Sequence, residues 1–550
     1  MRAIRLAIVL AVVLARPACA AARAGAVATE HPAAAEAGAE ILRAGGTAAD
    51  AAIAAAAAVC VVHASSCGLG GGGFALLHRA DGRDFALDYR EVAPAGATPE
   101  RFRARGKLEP ALLRTGGLAV GVPGEVAGLV TLHRRFGRLP LARVLAPAVR
   151  LARDGFTLAD APHLAREIEH GQGLLAADPE LRSRFLAGGA SAPGPDYRIV
   201  QADLARTLEA VAGHGAHAFY RGPRAAAIAA AVRARGGVLG EADLARYRPR
   251  WRRPLAGTFR GRRIVTFPPP GSGGVLLEML GLLARDDLPT LGRGTPTALH
   301  LLAGAMAQGF ADRARWYGDP EFARVPVAAL LAAPRLAALR RALSALRPTP
   351  QNTALVLDHG TVHVSVVDAE GNAAAITTTI NTGFGAGILV AGTGVILNNE
   401  MDDFALAPGV PNVYGLVGTA ANALAPGKRP QSSMSPTVVL EGRRPELVVG
   451  GSGGPTIISG TLQVVLGVVA FGLPLSEAVE APRVHDQAAP PVLAVEAGVE
   501  PSARGVLERL GHHVVVTPAI GAVSACGLAR DGSPVAAGDA RKDGGAAVVP

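Results

Sequence analysis

The stretch TVHVSVVDAEGNAAAITTTIN, residues 361–381, carries hydroxyls where one strand begins and another ends. Thr361, His363 and Ser365 alternate with Val362, Val364 and Val366, so an extended chain puts the polar three on one face and the valines on the other. A three-residue loop, Ala369-Glu370-Gly371 with glycine in the left-handed position, is a common hairpin closure and pairs Asp368 with Asn372. Continued, that register sets Thr361 opposite Thr379, with Asn381 just beyond. A slip of one residue would send Thr379 to the other face. Pattern alone asks for no function here, because β-branched residues suit strands. Yet a threonine that opens a strand also meets the needs of an N-terminal nucleophile. A cut between Gly360 and Thr361 would leave an α-amine beside the threonine hydroxyl, and such an amine, with a pKa of about 7.7–8.0, accepts a proton near neutrality. Gly360 offers no side chain to hinder attack on its carbonyl.

Elsewhere the polar residues, read singly, have ordinary explanations: Arg90 in LDYRE a structural ion pair, Ser432-Ser433 in RPQSSMSP loop polarity, and Asp402-Asp403 in NNEMDDF a solvated turn. Two glycine loops fail as phosphate sites. Gly68 to Gly73 contains G-x-G-x-x-G, but a helical pattern precedes it and a strand pattern follows, the reverse of a dinucleotide fingerprint. Close backbone packing is the expected reason for its glycines. Pro270-Gly271-Ser272-Gly273-Gly274 lacks the lysine of a P-loop.

The elements that must position these groups are α and β in separate runs. Residues 33–62 are Ala-rich and helical in pattern. Strand-like runs flank the turn Ala80-Asp81-Gly82, residues 121–345 are mostly helical, and short β runs dominate from Thr361, with a helix from about Thr456 to Phe471. The segment LRPTPQNTALVLDHG, residues 346–360, breaks the composition and is expected to be an exposed connection between two halves.

Bulk properties narrow the class. The chain has 550 residues, 18% charged and 4% aromatic, enough for a large core and unlike a disordered chain. Residues 1–20 combine Arg2 and Arg5, an apolar run from Leu6 to Ala15, and Ala18-Cys19-Ala20, which is the form of a secretory signal with cleavage after Ala20. A lipid anchor through Cys19 is the alternative, though Arg16-Pro17-Ala18 matches a lipidation box poorly. The mature chain is expected to be periplasmic or secreted, with no membrane span. Its removal lowers the formal charge from +10 to +7, and the only interleaved basic stretch is RYRPRWRR, residues 246–253, so nucleic acid is not an expected partner. Three cysteines then remain. They form no metal motif, and Cys60 and Cys67 are compatible with either a disulfide or buried thiols.

The stretch from Thr361 to Asn381, followed by TGFGAG, resembles the signature of the γ-glutamyltransferases, also called γ-glutamyl transpeptidases or glutathione hydrolases. Further blocks extend the likeness over most of the chain: LRAGGTAADAAIA, GLGGGGF, LDYREVAPAGA, VGVPGEVAGL, FPPPGSGG, FADRARWYGDPEF, NNEMDDF, PNVYGLVG, KRPQSSMSPT, GGSGGPTII and EAPRVHDQ. The resemblance implies an α+β fold, the four-layer αββα sandwich of the N-terminal nucleophile hydrolases. It implies a proenzyme that cuts itself at Gly360–Thr361 into a large subunit (21–360) and a small catalytic one (361–550), which stay together as a heterodimer. Thr361 would be the nucleophile and Thr379 its hydrogen-bonding partner, with the oxyanion held by Gly453 and Gly454. Arg90, Ser432 and Ser433 would hold the substrate α-carboxylate, and Asn381, Glu400 and Asp403 its α-ammonium. Tyr414 would be an aromatic of the lid loop. Glutathione and related γ-glutamyl compounds would be donors, with water, amino acids or peptides as acceptors and no metal or organic cofactor. Val362, Ala374 and Ala540 depart from the usual residues; Val362 should face away from the site. Related cephalosporin acylases, with the same nucleophile and another substrate, are the nearest alternative, and an uncleaved binding protein of the envelope is the alternative from outside the enzymes.

Overall fold

The structure, a computed structural model, describes residues 24–104, 107–343 and 360–550. The signal segment lies outside the described residues, as does the connection at 346–360 apart from Gly360, which is buried.

Two antiparallel sheets lie face to face. One runs in the order Gly545–Val549, Gly25–Thr29, Val362–Val367, Ala373–Thr379, Gly72–His78, Asp84–Tyr89, Arg250–Arg252. The other runs Pro534–Ala537, Ala522–Leu528, Arg444–Ser452, Thr437–Glu441, Arg262–Thr266, Leu255–Phe259. Both therefore draw strands from each side of residue 361, so the expected subunit boundary does not separate two independent cores.

The alternation read from the sequence decides the layers. Val362, Val364 and Val366 join Ala374 and Ile376 in a core shared with the helices Pro32–Arg43 and Ala48–Val62. Alanine is the best helix former, and its small side chain lets the Ala48–Val62 helix bury its whole circumference between the sheet and neighbouring helices. Thr47 and Asp50 cap that helix reciprocally. On the far side, Gly273–Leu283, Pro296–Trp316 and Thr456–Val469 pack on Ile264, Val439, Leu447 and Val449. Phe74, Leu76, Phe267, Val438 and Val448 fill the space between the sheets, where the Phe74 and Phe267 rings stack at 4.2 Å. The order helix, sheet, sheet, helix is the αββα sandwich that was expected.

One polar seam crosses the inter-sheet layer. His363 meets Thr377 Oγ1 at 2.8 Å and Ser365 Oγ at 2.9 Å, while Ser365 donates to the Ser524 carbonyl at 3.1 Å. Burial drags His363 down to about 3, so it is a neutral packing residue at ordinary pH. A Cβ at Gly450 would lie 2.4 Å from its ring, which is why the facing strand carries glycine there. The glycines at 70–73 are also packing glycines: a Cβ at Gly70 or Gly71 would sit 2.0 or 1.9 Å from the Ile396 or Thr379 carbonyl oxygen.

Candidate active site

The hairpin register is the one read from the sequence. Val362 pairs with Thr378 and Val367 with Ala373, while the Asp368 N–H donates to the Asn372 carbonyl at 3.0 Å and Gly371 takes φ +83°. Just before the first pair, Thr361 Oγ1 donates to Thr379 Oγ1 at 3.0 Å. Thr379 Oγ1 also accepts the Asn381 N–H at 2.8 Å. Thr361 itself has φ +76°, a region that β-branched residues very rarely enter. Strain of this kind costs on the order of 1–3 kcal/mol and persists only where neighbours impose it. Here they do so from three sides. The Thr361 N–H donates to the Ser66 carbonyl at 3.2 Å, the Thr361 carbonyl accepts from Lys542 Nζ at 2.5 Å, and the preceding Gly360 carbonyl accepts the Gly453 N–H at 3.1 Å.

Lys542 is fully buried and is neutralised by Glu30 at 3.0 Å; burial raises Glu30 although the ammonium pulls it down. Ser66 lies in the loop closed by a Cys60–Cys67 disulfide, so the cysteines left open by the sequence are paired. Gly453 and Gly454 both have positive φ, +111° and +57°, and precede the Thr456–Val469 helix. Their amides thus sit at a helix N-terminus, where backbone dipoles favour negative charge.

The same narrow cavity is lined by Arg90, Thr361, Thr379, Asn381, Glu400, Asp403, Tyr414, Ser432, Ser433 and Gly454. Every residue expected at the site is thus gathered around it, with Gly453 and Gly360 adjoining through their hydrogen bond. Their pairings differ from a ready-made substrate clamp. Arg90 is buried and grips protein carboxylates: Glu400 at 2.5 Å, Asp403 at 2.5 Å and Glu91 at 3.6 Å. Burial opposes its charge, yet these three acids outweigh burial and hold its pKa above the usual value. Glu91 and Glu400 are raised by burial despite that arginine. Asp402, the neighbour of Asp403 in NNEMDDF, is buried rather than part of a solvated turn, accepts the Val413 N–H at 2.8 Å and is raised by burial to about 6. Tyr414 is buried rather than at an open mouth; its hydroxyl donates to Asn381 Oδ1 at 3.0 Å and its ring packs on Gly454.

Several supporting residues escaped sequence reasoning. Arg313 donates to Ser433 Oγ at 3.2 Å and Ser272 Oγ at 3.1 Å, and Ser272 Oγ donates to the Ser432 carbonyl at 2.5 Å. Both residues sit in blocks that carried the resemblance, FADRARWYGDPEF and FPPPGSGG, but neither block revealed a partner. Lys542 and Glu30 gave no signal, because they lie 512 positions apart in the chain.

The family model described as Gamma-glutamyltranspeptidase matches residues 34–549. The chain belongs to this family. It is similar to the glutathione hydrolase proenzyme of Escherichia coli (strain K12), 40% identical over 94% of this chain and 91% of that one. It is similar also to the acylase ACY 1 proenzyme of Pseudomonas sp. (strain SE83), 39% identical over 94% and 92%. Among solved structures, the cephalosporin acylase from Bacillus halodurans superposes with a TM-score of 0.85 at 31% identity, covering 96% of each chain.

Proposed function

We propose that this chain is a proenzyme that cuts itself at Gly360–Thr361 and then acts as a γ-glutamyltransferase through Thr361. The contact that carries the reading is the Gly453 N–H on the Gly360 carbonyl, beside a Thr361 hydroxyl already hydrogen-bonded to Thr379. In maturation the Thr361 oxygen adds to the Gly360 carbonyl carbon while its proton passes to the departing nitrogen. The C–N bond breaks to leave an ester and a free α-amine, and water then releases Gly360 as a carboxylate. In turnover that amine takes the hydroxyl proton, Thr361 attacks the γ-glutamyl amide, and the same amides receive the oxyanion. The leaving amine takes the proton. Water, or the amino group of an amino acid or peptide, then resolves the acyl ester. One oxyanion donor is worth about 3 kcal/mol.

The clamp suits a zwitterion. Inserting an α-carboxylate and an α-ammonium on one carbon between Arg90 and Asp403 would exchange one ion pair for two, so no buried charge is left alone. Glutathione, with its free glutamyl end, has this form, and Ser432, Ser433, Asn381 and Glu400 complete the two sides. The apolar leader at residues 6–15 and the Cys60–Cys67 disulfide support an exported, periplasmic or secreted enzyme. Among the described residues no helix is long and apolar enough to cross a membrane.

A denaturing gel and N-terminal sequencing test the first half: two fragments are expected, the smaller starting at Thr361, and an uncut chain sinks the mechanism. The similarity to an acylase, as close as that to a glutathione hydrolase, favours a second donor class. Turnover of a γ-glutamyl anilide and of a cephalosporin amide side by side decides between them, with preference for the glutamyl donor expected.

A further inference from the structure

The residues that hold a donor in place extend beyond the cavity wall. Arg313, in the helix Pro296–Trp316, is buried, as are Ser272, Ser432 and Ser433. Its guanidinium reaches the two serine hydroxyls, and among the described residues no carboxylate lies within ion-pair distance of it. Burial, with Arg90 nearby, lowers its pKa to about 10 against the pull of Asp403. A buried guanidinium without a contacting anion is costly, so its persistence needs a reason. The two buried cations divide the work: Arg90 already faces Glu91, Glu400 and Asp403, whereas Arg313 faces only hydroxyls.

A hydroxyl has one proton. Ser433 Oγ accepts from Arg313, so its own proton is left for another acceptor, and Ser433 lines the cavity. Ser272 Oγ likewise accepts from Arg313 and spends its proton on the Ser432 carbonyl, which fixes the Ser432-Ser433 backbone. We propose that Arg313 is a positioning residue for donor recognition: it orients and polarises Ser433 as a donor to the α-carboxylate. The proposal rests on the γ-glutamyl reading above and adds a residue that never touches the substrate.

The test uses the matured enzyme and two donors, γ-glutamyl p-nitroanilide and 4-aminobutyryl p-nitroanilide, which lacks only the α-carboxylate. R313M should raise KM for the first by about 10- to 100-fold with kcat changed less than about threefold, the size expected for a charge-assisted hydrogen bond. On the second donor kcat/KM should match the wild-type value. S433A should remove most of the same discrimination, and R313M/S433A should lose little more than either alone, because Arg313 acts through Ser433. R313K should recover part of the KM, and it carries the test if R313M fails to mature. An unchanged KM, an equal loss on both donors or fully additive losses would overturn the assignment. Absence of γ-glutamyl turnover in the wild type would instead refute the function it rests on.

Discussion

The two ends of the site are built from different physics. Around Thr361 the contacts among the described residues come from hydroxyls, backbone amides and carbonyls, and Lys542, which reaches the Thr361 carbonyl, is neutralised by Glu30. Around Arg90 the contacts are ionic, with three carboxylates on one guanidinium and a second guanidinium behind the serines. On the proposed function, the first end holds atoms within reach of a carbonyl, and the second recognises a charged ligand and lets it go. Geometry is set by the backbone in one and by exchangeable ion pairs in the other.

Substitutions should separate them. T361A is expected to remain a single full-length chain and to lower turnover by at least about 10⁴-fold, as for removal of a catalytic nucleophile; a gel and an anilide assay check both. G454A strikes the same end: its φ of +57° and a Cβ 2.7 Å from the Tyr414 ring force a shift, so self-cleavage and kcat should both fall by roughly 10²-fold. S433A strikes the other end, raising KM by about 10- to 100-fold while self-cleavage runs to completion. A variant that stalled maturation through Ser433 would break the distinction.

The smallest effect concerns stability. Thr378, on the reverse face of the hairpin, has both the Gly72 carbonyl, at 3.1 Å, and the Glu125 carboxyl as acceptors within reach, and its single proton serves only one of them at a time. Burial raises Glu125 to about 8. A carboxyl raised in the folded state stabilises below its unfolded value of about 4.5, and that stabilisation is lost as pH rises through about 8. The melting temperature of E125Q should therefore gain on the wild type between pH 5 and pH 9, by a difference worth a few kcal/mol at most; a constant gap would contradict the protonated form.

The same contrast explains what could be read beforehand. Period-two alternation and a three-residue turn specify a register, and a register specifies which hydroxyls meet, so Thr361 against Thr379 was legible from 19 residues. The order of helical and β runs likewise implied separate layers, and the left-handed Gly371 was visible in the turn. Ionic clusters have no such period. That Arg90 would hold Glu400 and Asp403, or that Arg313 would stand behind Ser433, depends on strands and helices meeting across hundreds of residues. Cys60 and Cys67 were undecided for a simpler reason: seven positions of separation permit a bridge without requiring one, and only the turn between them brings their Cα atoms to 5.0 Å.

The strand order has a mechanical consequence. Gly25–Thr29 lies between Gly545–Val549 and Val362–Val367, so a segment from before residue 361 is flanked on both sides by segments from after it. A break at Gly360–Thr361 would therefore free neither piece. Each would be clasped by the other like interlaced fingers, and parting them would require tearing two ladders of backbone hydrogen bonds from the middle of a sheet. Such a pair does not obey the dilution law of an ordinary dimer: it should remain whole at any concentration at which the fold itself survives.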